Sequence, residues 1–434
     1  MLVAGSGVHA GDERNTVGDL IRMTRIHNGK EGSGTGRDWL RVAWVLALGK
    51  VVYLSALAGV LWFWGDLDEA RFRGVMMQWP REGGPVFASH FATWDGAHYL
   101  FLSEVGYGPG VRSNAFYPLY PLLVRGASVF TGGSHLWAGL LLANLCSLAG
   151  WVIFHEVARR RFGADTARWA LALLVTFPGS LFFQFVYTEG LFFLLLMVLW
   201  MGLERQRYGW AWVAALLLPV TRAVGLFCVL PIAWHLVTRR PLGWMRRWGV
   251  ERWDPPEPST AASGPVGPAG FLPYSLLLAP VAGWVFYLAL MWLWTGDPFD
   301  GMAAQRYWGA HSIANLINLP KFVVALFSPS EWHAFSGSVL DRGMFILLLY
   351  GLPLMWRLGK DQLVWAYVLG ILPAMSGTFT SFTRFESVAF PLFIAWGAFL
   401  ARRTGHWTRL LALAASGGLH LWLLWRFVNF RWAG

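Results

Sequence analysis

Apolar runs of near-membrane-spanning length recur from one end of this chain to the other, and that recurrence constrains the fold more than any other feature. A spanning helix needs about 20 apolar residues, fewer if it is short or distorted. Runs of that kind cover 41–64, 136–157, 167–183, 188–203, 272–294, 339–356, 362–379, 385–400 and 408–427. The run 209–237 is too long for one straight span and is interrupted by Pro219, Thr221 and Arg222, so it reads as two short helices. The expectation is an all-α polytopic membrane protein with about 11 transmembrane helices and an external loop after the first. Composition agrees: 56% of the 434 residues are hydrophobic and 14% charged, against about 25% charged in a soluble domain.

The net charge of +11 does not indicate nucleic acid, because the basic residues fall in short clusters between apolar runs. These clusters are Arg159–Arg161 with Arg168, Arg205 with Arg207, Arg239 to Arg252, Arg357 with Lys360, and Arg402 to Arg409. All lie on the cytoplasmic side if the N-terminus is inside. The stretch 117–131 then cannot cross and reads as an interfacial or partly inserted helix. Residues 1–38 contain no apolar stretch of the signal-peptide kind and are expected to form a flexible cytoplasmic tail. The membrane domain is expected over 39–430, with external loops 65–115 and 295–338 and a cytoplasmic Pro/Gly-rich loop at 239–271. Cys146 and Cys228 sit inside apolar runs and read as core residues.

This orientation gathers the unusual polar residues on the external side. Charges at membrane depth are costly and are functional candidates by default. Asp95, in Trp94-Asp95-Gly96-Ala97-His98-Tyr99, either caps a helix or acts chemically, and His98 would share its helix face. Glu189 either complements a helix N-terminus or positions substrate. Arg222 is flanked by apolar residues and needs an anionic partner, a carboxylate or a bound phosphate; Arg384 admits the same two readings. Asp297, in Gly-Asp-Pro, suits a turn, and Gln305 is a weaker candidate for a substrate contact. No histidine spacing suggests a metal, and there is no nucleotide-binding glycine motif.

The segment from Trp94 to Tyr99, with Gly106-Tyr107 and Phe116-Tyr117-Pro118-Leu119-Tyr120-Pro121, resembles the PIG-V family of GPI mannosyltransferases and their bacterial relatives, in the GT-C class of membrane glycosyltransferases. Tyr187-Thr188-Glu189-Gly190-Leu191-Phe192, Thr221-Arg222-Ala223-Val224-Gly225, Gly296-Asp297-Pro298-Phe299 with Gln305 and Trp308, and Arg384-Phe385 before Phe390-Pro391-Leu392-Phe393 are similar to further elements of that family. Thr93, Tyr117 and Phe385 depart from its commoner residues. The resemblance implies a GT-C fold and a lipid-linked donor, usually polyprenyl-phosphate mannose. It also implies transfer with inversion. The acceptor, a glycan, a lipid or a protein, stays open, the cell membrane is the expected location, and the residue spacing leads to no expected metal. On this reading Asp95 orients or deprotonates the acceptor, and His98 bonds Asp95 or the acceptor. Arg222 or Arg384 holds the donor phosphate, Trp94, Tyr99, Asp297 and Gln305 position substrate, and Glu189 positions substrate or pairs with one of those arginines. The main alternative is a transporter or lipid flippase, in which broken helices and intramembrane charges also occur.

Overall fold

The computed structural model describes residues 38–75, 78–80, 82–241, 271–309 and 311–434. The chain divides into units 1–46 and 47–434. Of the first, only the opening turns of the Asp38–Trp64 helix are described. The remaining described residues belong to the second unit. Residues 1–37 of the expected tail, and 242–270 of the expected Pro/Gly-rich loop, lie outside the described residues.

The described residues form helices and connecting turns, with one isolated bridge between Glu331 and Ser338. Among them, five helices are long and apolar enough to cross a membrane: Asp38–Trp64, His135–Phe162, Phe271–Thr295, Val339–Leu358 and His406–Val428. Five such helices replace the expected eleven or so. The remaining apolar runs are helical but broken. Ala164–Thr176 has 13 residues, Glu189–Glu204 has 16, and Tyr208–Thr221 and Phe390–Arg403 have 14 each. At 1.5 Å per residue these reach roughly 20–24 Å, short of a hydrocarbon core of about 30 Å. The 362–379 run is divided by a π-type turn at Tyr367–Ile371. The 209–237 run divides as expected, into Tyr208–Thr221, a 3-10 turn at Ala223–Cys228, and Val229–Arg239.

Local chemistry sets several boundaries. Ser134 Oγ accepts the Trp137 amide at 3.3 Å to open the long second helix, as an N-cap should. That helix closes on Arg159–Arg161, where positive charge suits the carbonyl end. The stretch at 117–131 contains the ten-residue helix Leu119–Ser128. It exposes Leu122 and Leu123, and Val129 and Phe130 follow it, while Tyr120 and Val124 are buried.

The Glu189–Glu204 helix separates two charged clusters. At its C-terminal end Arg161 bonds Glu204 at 2.6 Å and Asp361 at 2.6 Å, joining the ends of three helices. At its N-terminal end stands Glu189, fully buried, roughly 22 Å away along the axis. Gly190 approaches the Ala143 carbonyl so closely that a Cβ would overlap it, which lets the second long helix pack against this one.

A second close approach fixes the backbone around Arg384. Gly179, in the 3-10 turn Pro178–Phe183, lies against the backbone of Thr383 and Arg384, and a Cβ there would overlap the Thr383 carbonyl. Gly179→Ala should therefore destabilise by about 1–3 kcal/mol, as overpacking does. Thermal unfolding in detergent checks it; an unchanged midpoint would refute the close approach.

Candidate active site

Four charged residues from four sequence-distant segments meet in one network. Asp95 is the first residue of the Asp95–Glu104 helix, and Glu189 the first of Glu189–Glu204. Arg222 stands in extended conformation where the Tyr208–Thr221 helix ends. Arg384 lies within the five-residue helix Phe382–Glu386. Glu189 Oε1 accepts from Arg222 Nη1 at 2.8 Å and from Arg384 Nε at 2.5 Å. Arg384 Nη1 also donates to Asp95 Oδ2. Two carboxylates thus face two guanidinium groups.

Several features aim Arg384. Thr378, Phe379 and Ser381 adopt φ values of 45°, 69° and 56°, a left-handed region costing non-glycine residues about 1–3 kcal/mol each. Asp341 Oδ1 accepts the Thr383 amide at 2.7 Å and so anchors the turn. The guanidinium of Arg384 lies 4.5 Å from the Tyr187 ring and 5.1 Å from that of Phe182. Aromatic faces stabilise a cation by about 0.5–2 kcal/mol.

Exposure is graded across the network. Relative side-chain exposure is 0% for Glu189, 7% for Arg384, 13% for Arg222 and 23% for Asp95. The two members with access to the outside are therefore one carboxylate and one guanidinium. Glu189 Oε2 is buried and has no hydrogen-bond partner among the described residues, leaving an acceptor position open.

Asp95 is not the N-cap of its helix. Trp94 holds that position at φ 54° and makes no side-chain cap bond, while the Asp95 carboxylate goes to Arg384. The His98 imidazole hydrogen-bonds not Asp95 but the Ser113 hydroxyl, with Nδ1 2.8 Å from Oγ. It stacks on Phe116 at 4.7 Å and meets Trp308 edge-on at 5.5 Å. Burial pulls the His98 pKa down to about 4. Tyr99 shares a hydrogen bond with Thr188 at 3.2 Å, next to Glu189. Trp94 Nε1 donates to the Arg431 carbonyl at 3.1 Å.

The 295–308 segment meets the 112–116 stretch beside His98 at other points than expected. Gln305 donates to the Ala115 carbonyl at 2.9 Å. Asp297 accepts the Phe299 amide at 2.8 Å and is exposed, a turn geometry that does not bring it to the network. The acid that bridges segments is Asp300, which accepts from Asn114 Nδ2. Sequence reasoning also missed Lys50, although it too is a charge inside an apolar run. It is buried in the Asp38–Trp64 helix and donates to Gln184 at 2.6 Å and Asn144 at 3.1 Å. Among the described residues no group of three or more His, Cys, Asp or Glu side chains is placed to hold a metal ion.

No family model matches the chain, and no curated protein matches it. Among solved structures it is similar to ArnT from Cupriavidus metallidurans bound to undecaprenyl phosphate. The identity is 19% and the TM-score 0.43, over 85% of this chain and 63% of that one. It is similar to the Archaeoglobus fulgidus oligosaccharyltransferase tethered with an acceptor peptide at 13% identity and TM-score 0.44, over 92% and 56%. For AglB from Archaeoglobus fulgidus, in complex with an inhibitory peptide and a dolichol-phosphate, the values are 13% and 0.43, over 93% and 57%. The chain thus spans less than two thirds of the length of each.

Arg384 contacts both carboxylates, whereas Arg222 contacts only Glu189, which Arg384 also holds. Arg384→Ala should cost about 3–5 kcal/mol, the range for stripping a buried ion pair of one partner, and Arg222→Ala clearly less. Equal losses of thermal stability for the two variants would contradict the shared-acceptor geometry.

A pH dependence follows from His98. Its pKa is about 4 in the fold and 6.5 ordinarily, so between these values the unfolded chain binds the proton and the fold does not. Stability is fully present above pH 6.5 and falls as pH drops toward 4. His98→Gln should flatten part of that decline in thermal scans, and an unaltered slope would count against it.

Proposed function

We propose that this chain is a membrane glycosyltransferase of the GT-C class. It transfers a sugar, mannose in our reading, from a polyprenyl-phosphate donor to an acceptor hydroxyl with inversion, on the external side of the cell membrane. The observation that carries the proposal is the graded charge network. A membrane protein rich in apolar helices holds two carboxylates and two guanidinium groups together, and its accessible ends are Asp95 and Arg222.

That pair suits glycosyl transfer from a lipid phosphate. Asp95 takes the proton of the acceptor hydroxyl as the new glycosidic bond forms. Arg222 holds the donor phosphate and offsets the charge that grows on it as the sugar leaves. Arg222 commits Nη1 to Glu189, and the guanidinium carries five N–H donors in all. In this proposal Arg384 serves Asp95 as a positioning residue instead of meeting the phosphate, because it is the less exposed arginine. Glu189 orients both arginines. The motif resemblance between Trp94 and Phe393 supports the same class and supplies the choice of mannose, of inversion and of a lipid-linked donor. The arginine clusters supply the external orientation.

The test uses purified protein with undecaprenyl-phosphate mannose. Asp95→Asn should lower turnover by about 10²-fold or more while still binding undecaprenyl phosphate. Arg222→Lys keeps the charge but loses the planar fork, and should weaken binding of that lipid phosphate. Full transfer by Asp95→Asn would remove the proposed role of Asp95. Unchanged lipid-phosphate binding by Arg222→Ala would remove that of Arg222.

A further inference from the structure

One group beside the network has no part in the reaction proposed above. His311 belongs to the segment after Trp308, which is tied to the end of another helix. The Ser312 amide donates to the Ser376 carbonyl at 3.2 Å and Asn315 Nδ2 to the same oxygen at 2.8 Å. The imidazole lies over Gly377, where a Cβ would overlap the ring. It meets Phe385 edge-on, with centroids 5.1 Å apart at 85°. Phe385 is also the ring shared by the two arginines, with the Arg222 guanidinium at 4.7 Å and that of Arg384 at 5.5 Å. His311 is therefore one ring away from both cations, and the charges of Arg384, Asp95 and Arg222 act on it.

No described residue hydrogen-bonds the His311 ring, and the residue is half-buried. Burial first, and then the Arg384 charge, pull its pKa down to about 4, so at pH 7 the ring is neutral. A neutral imidazole offers one N–H donor and one nitrogen acceptor. A phosphate is served better by the guanidinium groups nearby. The ligand that matches one donor and one acceptor is a hydroxyl group, which is itself both.

We infer that His311 contacts substrate directly, hydrogen-bonding a sugar hydroxyl beside the Arg222–Glu189–Arg384 network. The inference rests on the glycosyltransferase reading and assigns the sugar, as distinct from its phosphate, a specific protein contact. The hydroxyl belongs either to the donor sugar or to an acceptor sugar, and the kinetics separate the two.

The experiment compares His311→Ala, His311→Phe and His311→Gln with the wild-type protein. Binding is measured with undecaprenyl-phosphate mannose and with undecaprenyl phosphate, and transfer with methyl α-mannoside as acceptor. If the contact is to the donor, His311→Ala should weaken binding of the mannosyl lipid about three- to tenfold, the loss of one neutral hydrogen bond. Binding of the unglycosylated lipid should stay unchanged. If the contact is to the acceptor, binding of both lipids is unchanged and KM for methyl α-mannoside rises by that factor. In either case His311→Phe, which keeps a ring against Phe385, should lose as much as alanine, and His311→Gln should recover part of it. Wild-type behaviour from His311→Phe, or equal weakening of both lipids by His311→Ala, would show a packing residue and overturn the inference. Wild-type protein that binds neither lipid would overturn the donor reading itself, and this inference with it.

Discussion

The Glu189 carboxylate, at the N-terminal end of a strongly apolar helix and fully buried, sets the terms for the surrounding structure. A carboxylate withdrawn from water loses far more solvation than a helix terminus returns, so cations must be brought to it. Two are, and both donate to the same oxygen. The attraction is strong because little water intervenes, but it survives only if each guanidinium is held at a fixed place. For Arg222 the fixing element is the break between a helix and a 3-10 turn. For Arg384 it is the left-handed turn at Thr378–Ser381, the Asp341 anchor on Thr383 and the close approach at Gly179. Backbone strain at one place and a missing side chain at another thus serve the same ion pair.

How far the fold is legible in the sequence depends on helix length. The five long helices are legible because each carries an apolar stretch of near-spanning length broken by no more than two charged residues. The count fails where runs of similar hydropathy contain a shorter helix, as in 167–183, whose helix stops at Thr176 before Pro178. Hydropathy averages over such a break; the backbone does not. In the site, Asp95, Glu189, Arg222 and Arg384 are legible as individuals, because a charge among apolar neighbours needs a reason. Their pairing is not. Arg384 and Asp95 are 289 positions apart, and the turn that joins them uses Thr, Phe and Ser at positive φ, where a sequence reading looks for glycine. Asp297 and Asp300 show the same limit. They stand three apart on one loop, and only the folded chain sends Asp300 to Asn114 and leaves Asp297 on its own backbone.

The Glu189–Glu204 helix keeps two charged clusters apart. Its two ends carry acids of different roles. Glu204 joins Arg161 and Asp361 in a cluster that ties helix ends together, and Glu189 anchors the graded network. About 22 Å of apolar helix lies between them, so neither cluster can neutralise the other. Each must be balanced locally, and each is, by arginine. The arginine cluster expected on the cytoplasmic side and the charge network of the proposed site therefore lie at opposite ends of one helix.

Local balance also bears on the proposed chemistry. At rest the network sums to zero, with two carboxylates against two guanidinium groups. A polyprenyl-phosphate sugar is a phosphodiester and brings one negative charge. When the sugar leaves, the lipid phosphate becomes a monoester with two negative charges, and the acceptor hydroxyl gives up a proton. If that proton passes to Asp95, the loss of its negative charge matches the gain on the phosphate, and the total remains at minus one throughout. Charge then moves across the site without accumulating in it, from the carboxylate at one accessible end toward the phosphate at the other. Arg384 and Glu189, lying between those ends and hidden from solvent, keep their places while it moves. Fixed charges placed ahead of the reaction need no reorganisation when charge develops, which is a physical reason for an apolar protein to retain four ionised groups in contact.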